Sequence, residues 1–516
     1  MALGSCDFLE EDPNSFVQQG EFFKSEEQCR SAVNSTYTGL RSVYSSTLFT
    51  HLEGTTDLIQ VPSISDVNAI LDINPSGCNI SRTVWSQGYK CIMYSNYAVA
   101  GIETSPIDST ARMELLAEAK TMRAFWYYLL TSCFGDVPFY TEDVSDAEVM
   151  NKVAKYPRMS AYETRRALIE DLQSCFPYDT AGTYLGATDA IRTYDMPEKG
   201  GQTGRAGWAM GMTLIGKMAL WNANHWDCGE TVDSDSAAYW YQTALDALLK
   251  VDKVYGESLS KYPLEDLKFK YKNTPESIFE IQHTYVNGQL NYSGGLATNC
   301  MPSYSSSSEK FDGVEIKELG KDMKVGTCNR PTKYFYQGIQ PDNGMDKRTD
   351  INMGFRYDGK SFSSGKSKPW MGPKFWCPEM YQTNDSNNYP VFRYADVVLM
   401  IAECYWGLRD EENFAKYLNI VKNRAGLSYT ETPSEDWKRA HKELRDERAR
   451  ELFGEFQRKF DLVRWGIWYE SVTEYTDNEE LLKNIKPCHR YLPIHDTQVI
   501  YSDYALDNNE YNKYGL

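Results

Sequence analysis

The chain has 516 residues and carries 54 Lys and Arg against 72 Asp and Glu, for a formal net charge of −18, with 41% hydrophobic and 24% charged residues. That acidic balance excludes a protein that tracks nucleic-acid phosphates, which needs Lys and Arg gathered on one face, and no run approaches the roughly 18 consecutive apolar residues of a transmembrane helix. The size allows one large core or several subdomains, and the 14% aromatic share, led by 37 Tyr, is the one marked excess.

The first six residues, MALGSC, place small residues ahead of Cys6 in the pattern that precedes an acylated cysteine, without the charged and apolar regions of a signal peptide. Apolar residues at three-and-four spacing then predict helices over 25–45, 82–103, 111–133 and 162–175, followed by a pair over 204–226 and 236–251. Short polar turns join them, as in antiparallel helix hairpins of tetratricopeptide type. The loop SDVNAILDINPSGCN (65–79) precedes the helix of Trp85, which has helical spacing to Tyr89 and Tyr97 and reads as scaffold. In the helix over 111–133, Leu115, Ala119, Met122, Trp126, Leu129 and Cys133 share one face; Gly135 supplies a cap and Pro138 forbids continuation. Arg123 flanks that stripe and needs a carboxylate partner, for which Glu403 and Asp57 are candidates.

From about 256 to 388, Gly, Ser, Asn and Pro punctuate short apolar runs such as SIFEIQHTY (277–285), which predicts loops with short strands. A connection that long inside a compact protein is usually functional. Helices resume over 394–408, 414–427 and 441–465. Neither boundary shows a low-complexity linker, so one scaffold carrying an insertion is expected rather than two domains.

Glu447 and Glu451 stand four residues apart, a spacing that general acid and base work can use. They are interleaved with Arg448, Arg450 and Arg458, and Asp461 precedes Arg464, so i,i+3 and i,i+4 pairing along a salt-bridged helix is the expected reading. The six histidines and twelve cysteines form no metal-binding spacing. Cys133 and Cys404 read as buried thiols, with disulfides elsewhere left open. GGQTGR (200–205) lacks the lysine of a phosphate cradle and no G-x-S-x-G elbow occurs, so no catalytic residue, metal or cofactor is expected.

What remains is aromatic and amide chemistry. Exposed Tyr or Trp planes beside hydrogen-bonding side chains suit a ligand with a flat C–H face and a rim of hydroxyls. The irregular middle offers Tyr285, Asn287, Gln289, Tyr292, Tyr304, Tyr334, Tyr336, Trp370 and Trp376, and the loop over 65–79 offers Asp66, Asn68, Asp72 and Asn74.

Several stretches together resemble one family: CDFLEEDP (6–13), SEEQCRSAVNSTYTGL (25–40), AEAKTMRAFWYYLLTSCFGDVPFY (117–140), NYPVFRYADVVLMIAECY (388–405), LNIVKNRAGL (418–427), ERARELFGEFQRKFDLVRWG (447–466) and YLPIHDTQVIYSDYAL (491–506). They are similar to the SusD/RagB outer-membrane nutrient-binding lipoproteins of Bacteroidetes. The resemblance implies a mainly α, tetratricopeptide-like scaffold anchored through a lipid on Cys6, with 1–6 a signal remnant and 7–516 a single domain. Within that domain the scaffold covers about 7–255 and 389–516, and a variable ligand-binding region covers about 256–388. It also implies a noncatalytic, cell-surface glycan binder that delivers its ligand to a SusC-like TonB-dependent transporter. A binder of peptides or other nutrients, an all-α polysaccharide hydrolase and a purely protein-binding scaffold are the alternatives. Ligand identity does not carry over.

Overall fold

The computed structural model describes residues 22–63, 65–176, 204–228, 232–256, 259, 262–284, 293–302, 304–305, 310–316, 329–363, 368–377, 380–428, 430 and 436–516. Helix α1 (Glu26–Ser35) opens on a capping box in which Ser25 and Gln28 exchange side-chain and backbone hydrogen bonds. After α2 (Leu40–Val43), α3 (Ser46–Leu52) and strand β1 (Ile59–Gln60) come α4 (Asn79–Glu103), α5 (Ser109–Phe134), α6 (Ala147–Val153), α7 (Ala161–Cys175), α8 (Trp208–Asp227) and α9 (Ser234–Tyr255). The helix expected over 25–45 is broken at residues 36–39. The Thr36 carbonyl accepts from Trp126 Nε1 at 2.9 Å, and the Leu40 N–H that would have continued the helix turns to Tyr37 instead.

Helix α5 begins where Asp108 accepts from the N–H groups of Thr110 and Ala111, and stops at Gly135, whose φ of +71° a side chain would oppose. Every residue from 121 to 134 is buried, so the expected single stripe is instead a helix covered on all sides. It packs against α4, α7 and α8, and Phe125 meets Phe279 and Phe392 from the insertion's base. Arg123 pairs with Asp171 on α7 at 2.5 Å and with Asn96 at 3.0 Å. Glu403 and Asp57, the partners expected from the sequence, are held by Arg464 and Arg458.

The middle of the chain forms five two-stranded antiparallel sheets among the described residues. Strand β2 (Ser277–Ile281) pairs with β10 (Tyr389–Arg393) and closes the insertion at its base. Strands β3 (Tyr304–Ser305) and β4 (Lys310–Phe311) form a second pair, and β5 (Arg330–Pro331) reaches back to β1. A π-helical turn over Tyr334–Ile339 and α10 (Thr349–Asn352) follow. Strand β6 (Met353–Gly354) then pairs with β9 (Trp370–Met371), and β7 (Arg356–Tyr357) with β8 (Lys360–Ser361). Phe311, Val314, Phe362, Trp370, Trp376 and Met380 make a small core of their own beneath these strands.

The C-terminal series is α11 (Tyr394–Gly407), α12 (Glu411–Arg424), α13 (Trp437–Glu451), α14 (Arg458–Arg464), α15 (Trp468–Tyr475), α16 (Glu479–Asn484), α17 (Asp496–Tyr501) and α18 (Asn509–Asn512). The pairs α4–α5, α8–α9 and α11–α12 pack face to face as tetratricopeptide-like units. The helix expected over 441–465 is two. Gly454 and Phe456 take φ of +70° and +61°, and Glu53 Oε1 accepts from the N–H groups of Gln457 and Arg458, at 2.9 and 3.3 Å, to start α14.

Glu447 and Glu451 belong to a buried ion cluster rather than to a run of neighbouring turns. Arg348 binds them at 2.8 and 2.7 Å, Arg393 binds Glu451 and Glu455 at 2.8 and 2.7 Å, and Arg424 joins Glu451 to Glu276. Asp346 pairs with Arg348, Lys374 with Glu455 and Arg450 with Glu447, so five carboxylates face five cations. Arg450, on Glu447, and Arg464, which meets Asp461 at 2.8 Å, fill the expected i,i+3 roles. Arg448 turns to Asp396 and Asp461, and Arg458 to Asp57.

Candidate functional site

Two of the sequence clusters, about 260 residues apart in the chain, meet through a two-residue pairing: Ile59 opposes Pro331 and Gln60 opposes Arg330. Next to it the Thr332 N–H donates to the Leu58 carbonyl at 2.8 Å, and the Thr332 hydroxyl to the Asp57 carbonyl at 2.5 Å. The Asp57 carboxylate is fixed from below by Arg458, at 2.9 and 2.7 Å, and by the Ser471 hydroxyl at 2.9 Å. This anchors the start of the turn that carries Tyr334 and Tyr336.

Tyr334 stacks on Tyr475 from the end of α15, with ring centroids 3.7 Å apart and planes 11° from parallel. Both rings are partly exposed, as is Tyr336 beside them. Burial, then the negative charges of Asp446 and Asp57, raises the Tyr334 phenol above its ordinary range, so it stays a neutral donor. Burial and Asp477 raise Tyr336 in the same way. Asp477 accepts the Lys333 N–H at 2.6 Å on its carboxylate and the Gln60 amide at 3.2 Å on its carbonyl.

The loop that follows β1 is tied to the same corner. The Asn478 amide donates to the carbonyls of Val61 and Ala69, and the Asn484 amide to that of Ile70 at 3.0 Å. Asp66 accepts from the N–H groups of Asn68 and Ala69, while Asn68 Oδ1 is buried with no hydrogen-bond partner among the described residues. Asp72 is exposed. Asn74 lies farther along, where its carbonyl oxygen accepts from Ser76 and Gly77 and the turn faces the C-terminal segment. So the loop that carries Asp66 and Asn68 is tied through its backbone to Asn478 and Asn484, next to the end of α15, and Asn74 belongs to a neighbouring cleft.

Trp370 and Trp376 stand in the small core, 3% and 4% exposed. The Arg330 guanidinium lies 3.3 Å from the centre of the Trp370 ring, so this tryptophan braces β5 behind the tyrosines. Tyr285, Tyr292 and Cys6 lie outside the described residues; so does the side chain of Tyr304, whose backbone pairs with Phe311 in β3–β4. The residues missed from sequence are Tyr475, Asp477 and Gln60. The run YTDNEE carried a signal for two of them: an aromatic at a helix end, followed by Asn478, which caps α16.

The acidic pair of α13 is committed elsewhere. Burial alone would raise Glu451, but Arg424, Arg393 and Arg348 hold its carboxyl well below the usual range. Among the described residues no cluster of His, Cys, Asp and Glu suits a metal ion, no helix is long and apolar enough to cross a membrane, and the ten cysteines are free thiols. What the corner presents is a two-ring platform flanked by an amide, a carboxylate and phenol donors. That suits a ligand with flat apolar faces and hydroxyl edges.

Residues 378–511 match the family model described as the SusD family, and residues 7–176 match the one described as starch-binding associating with outer membrane. A SusD-like protein, P25, of Formosa agariphila is 27% identical over 95% of this chain and 93% of its own length. Surface glycan-binding protein A from Bacteroides uniformis has the same fold, with a TM-score of 0.67 at 19% identity over 94% of this chain and all of its own. Surface glycan-binding protein A from Bacteroides thetaiotaomicron, solved in complex with laminarihexaose, gives a TM-score of 0.65 at 17% identity over 94% of this chain and 99% of its own.

Proposed function

The chain belongs to the SusD/RagB family, and from that premise we propose that it is a noncatalytic glycan-binding protein of the outer-membrane surface that holds oligosaccharide or polysaccharide for a SusC-like TonB-dependent transporter. The observation that carries the reading is the Tyr334–Tyr475 stack with Gln60, Tyr336 and Asp477 around it. The laminarihexaose held by a neighbour of the same fold supports sugar as the ligand class. The anchor is a lipid on Cys6, and Asp66 and Asn68 are the polar contributors from the loop after β1.

The test is mobility of the full chain in native gels containing laminarin, starch, xylan or galactomannan, with calorimetry on the matching hexasaccharides. At least one polysaccharide retards the wild type, no reducing ends are released, and Tyr475→Ala weakens hexasaccharide binding at least about tenfold, equal to about 1.4 kcal/mol. Binding of peptides with no response to any of the four polysaccharides would overturn the sugar assignment. Product release that survives Tyr475→Ala but is lost on changing an acidic residue would make the protein an enzyme. Co-purification with the transporter, lost when Cys6→Ser releases the protein from the membrane fraction, tests the delivery role.

A further inference from the structure

Beyond the tyrosine corner, the turn holding Asn74 and Ser76 faces the C-terminal segment across a cleft of about 660 Å³. Its far wall carries Asp496, Tyr504 and Asn512. The walls are fixed to each other. The Asp496 N–H donates to the Pro75 carbonyl at 3.3 Å, Asn508 binds both backbone groups of Ile494 at 2.8 Å, and Arg158 holds Asp507 at 2.8 Å. The lining groups are left over from this bracing. The Asp496 carboxylate, the Asn512 amide and the Tyr504 hydroxyl make no hydrogen bond to another described residue, and Asn74 spends only its carbonyl oxygen on its own turn.

Tyr504 is 73% exposed, and the chain reaches it through an unusual backbone. Asp503 and Tyr504 are consecutive left-handed residues, with φ of +54° and +62°. Neither is glycine, so the conformation is costly, and such strain concentrates at ligand sites. An aromatic ring presented at the rim of a cleft whose other groups are amides and a carboxylate repeats the chemistry of the tyrosine corner. The unpaired Asp496 disfavours an anionic ligand.

We propose that this cleft is a second contact site for a neutral, hydroxyl-rich glycan, engaged by a polysaccharide already held at Tyr334 and Tyr475. The inference rests on the glycan-binding reading above. Asn478, three residues after Tyr475, donates to the Ala69 carbonyl, and Ala69 is five residues before Asn74, so the backbone path from Tyr475 to the cleft is a few tens of ångströms at most, about the reach of an extended polysaccharide. One polysaccharide chain can therefore touch both, and the second contact acts at a high effective concentration.

The experiment compares the full-length wild type, Tyr475→Ala and the double variant Tyr504→Ala/Asn512→Ala, on whichever polysaccharide of the gel panel retards the wild type and on its hexasaccharide. The double variant loses at least about tenfold in polysaccharide affinity and keeps its hexasaccharide affinity within twofold, while Tyr475→Ala keeps a residual retardation. Equal retardation of the double variant and the wild type overturns the second site and leaves the glycan reading standing. Equal loss on polysaccharide and hexasaccharide also overturns it, because the cleft would then be part of the first site. If no polysaccharide retards the wild type, the glycan reading and the second site fall together. Should the double variant not fold, Tyr504→Ala alone carries the test, since that ring is largely in solvent.

Discussion

Lys459 is only 1% exposed and makes no ion pair among the described residues. Its ammonium meets His51 Nε2 at 3.2 Å, Thr55 Oγ1 at 3.3 Å and the face of Trp468 at 4.8 Å. Burial pushes it down to about 7, against a smaller upward pull from Cys133 and Cys78. The unfolded lysine titrates near 10.4. Between these values the unfolded chain binds a proton that the native chain does not, so this residue's destabilising effect shrinks as pH rises through the window. Lys459→Met is expected to melt above the wild type at pH 7, by about 2 kcal/mol once the lost hydrogen bonds are counted, with the gap closing by pH 10. A gap that did not change with pH would contradict this account. Arg123 makes the opposite case. Its partner Asp171 is 25% exposed, so Arg123→Ala should cost about 2 kcal/mol, read by thermal melting, and not the 3–5 kcal/mol of a fully buried pair. That a buried arginine needs a carboxylate was legible from the sequence. Which carboxylate was not, because the choice depends on α7 packing beside α5.

Helix positions were legible because three-and-four periodicity is local, and the boundaries of α4, α5, α7 and α11 fall close to where spacing and caps put them. The two breaks were not legible, because distant groups set them: Trp126 draws off the Thr36 carbonyl, and Glu53 caps α14 across more than 400 residues of sequence. The second break also requires Gly454. A Cβ there would stand 2.5 Å from Phe375 Cζ on a backbone at φ +70°. Gly454→Ala is expected to lower unfolding free energy by about 2–4 kcal/mol, seen as a reduced urea midpoint with an unchanged slope. Wild-type stability would mean that the turn relaxes at no cost.

Across the whole molecule, a net charge of −18 makes the surface repel polyanions. Neutral polysaccharide should bind with the same affinity at 20 and about 500 mM salt, whereas a sulfated polysaccharide of the same backbone should bind more weakly at low salt and recover as screening rises. The proposed site at the tyrosine corner was half legible in the sequence. Tyrosine-rich loops and an Asp/Asn loop named the chemistry, but Tyr475 and Asp477 were hidden because a short strand pair and a capping asparagine, rather than any motif, bring them to Tyr334. The ten-member ion cluster has a bearing on inheritance. Glu276, Asp346, Arg348 and Lys374 come from the insertion, while Arg393, Arg424, Glu447, Arg450, Glu451 and Glu455 come from the strand and helices that follow it. A loop region transplanted from a relative would leave buried charges unmatched unless it brought the same four residues. New ligand preferences in this protein should therefore arise by changing the tips of these loops, or by exchanging the insertion together with its C-terminal helices.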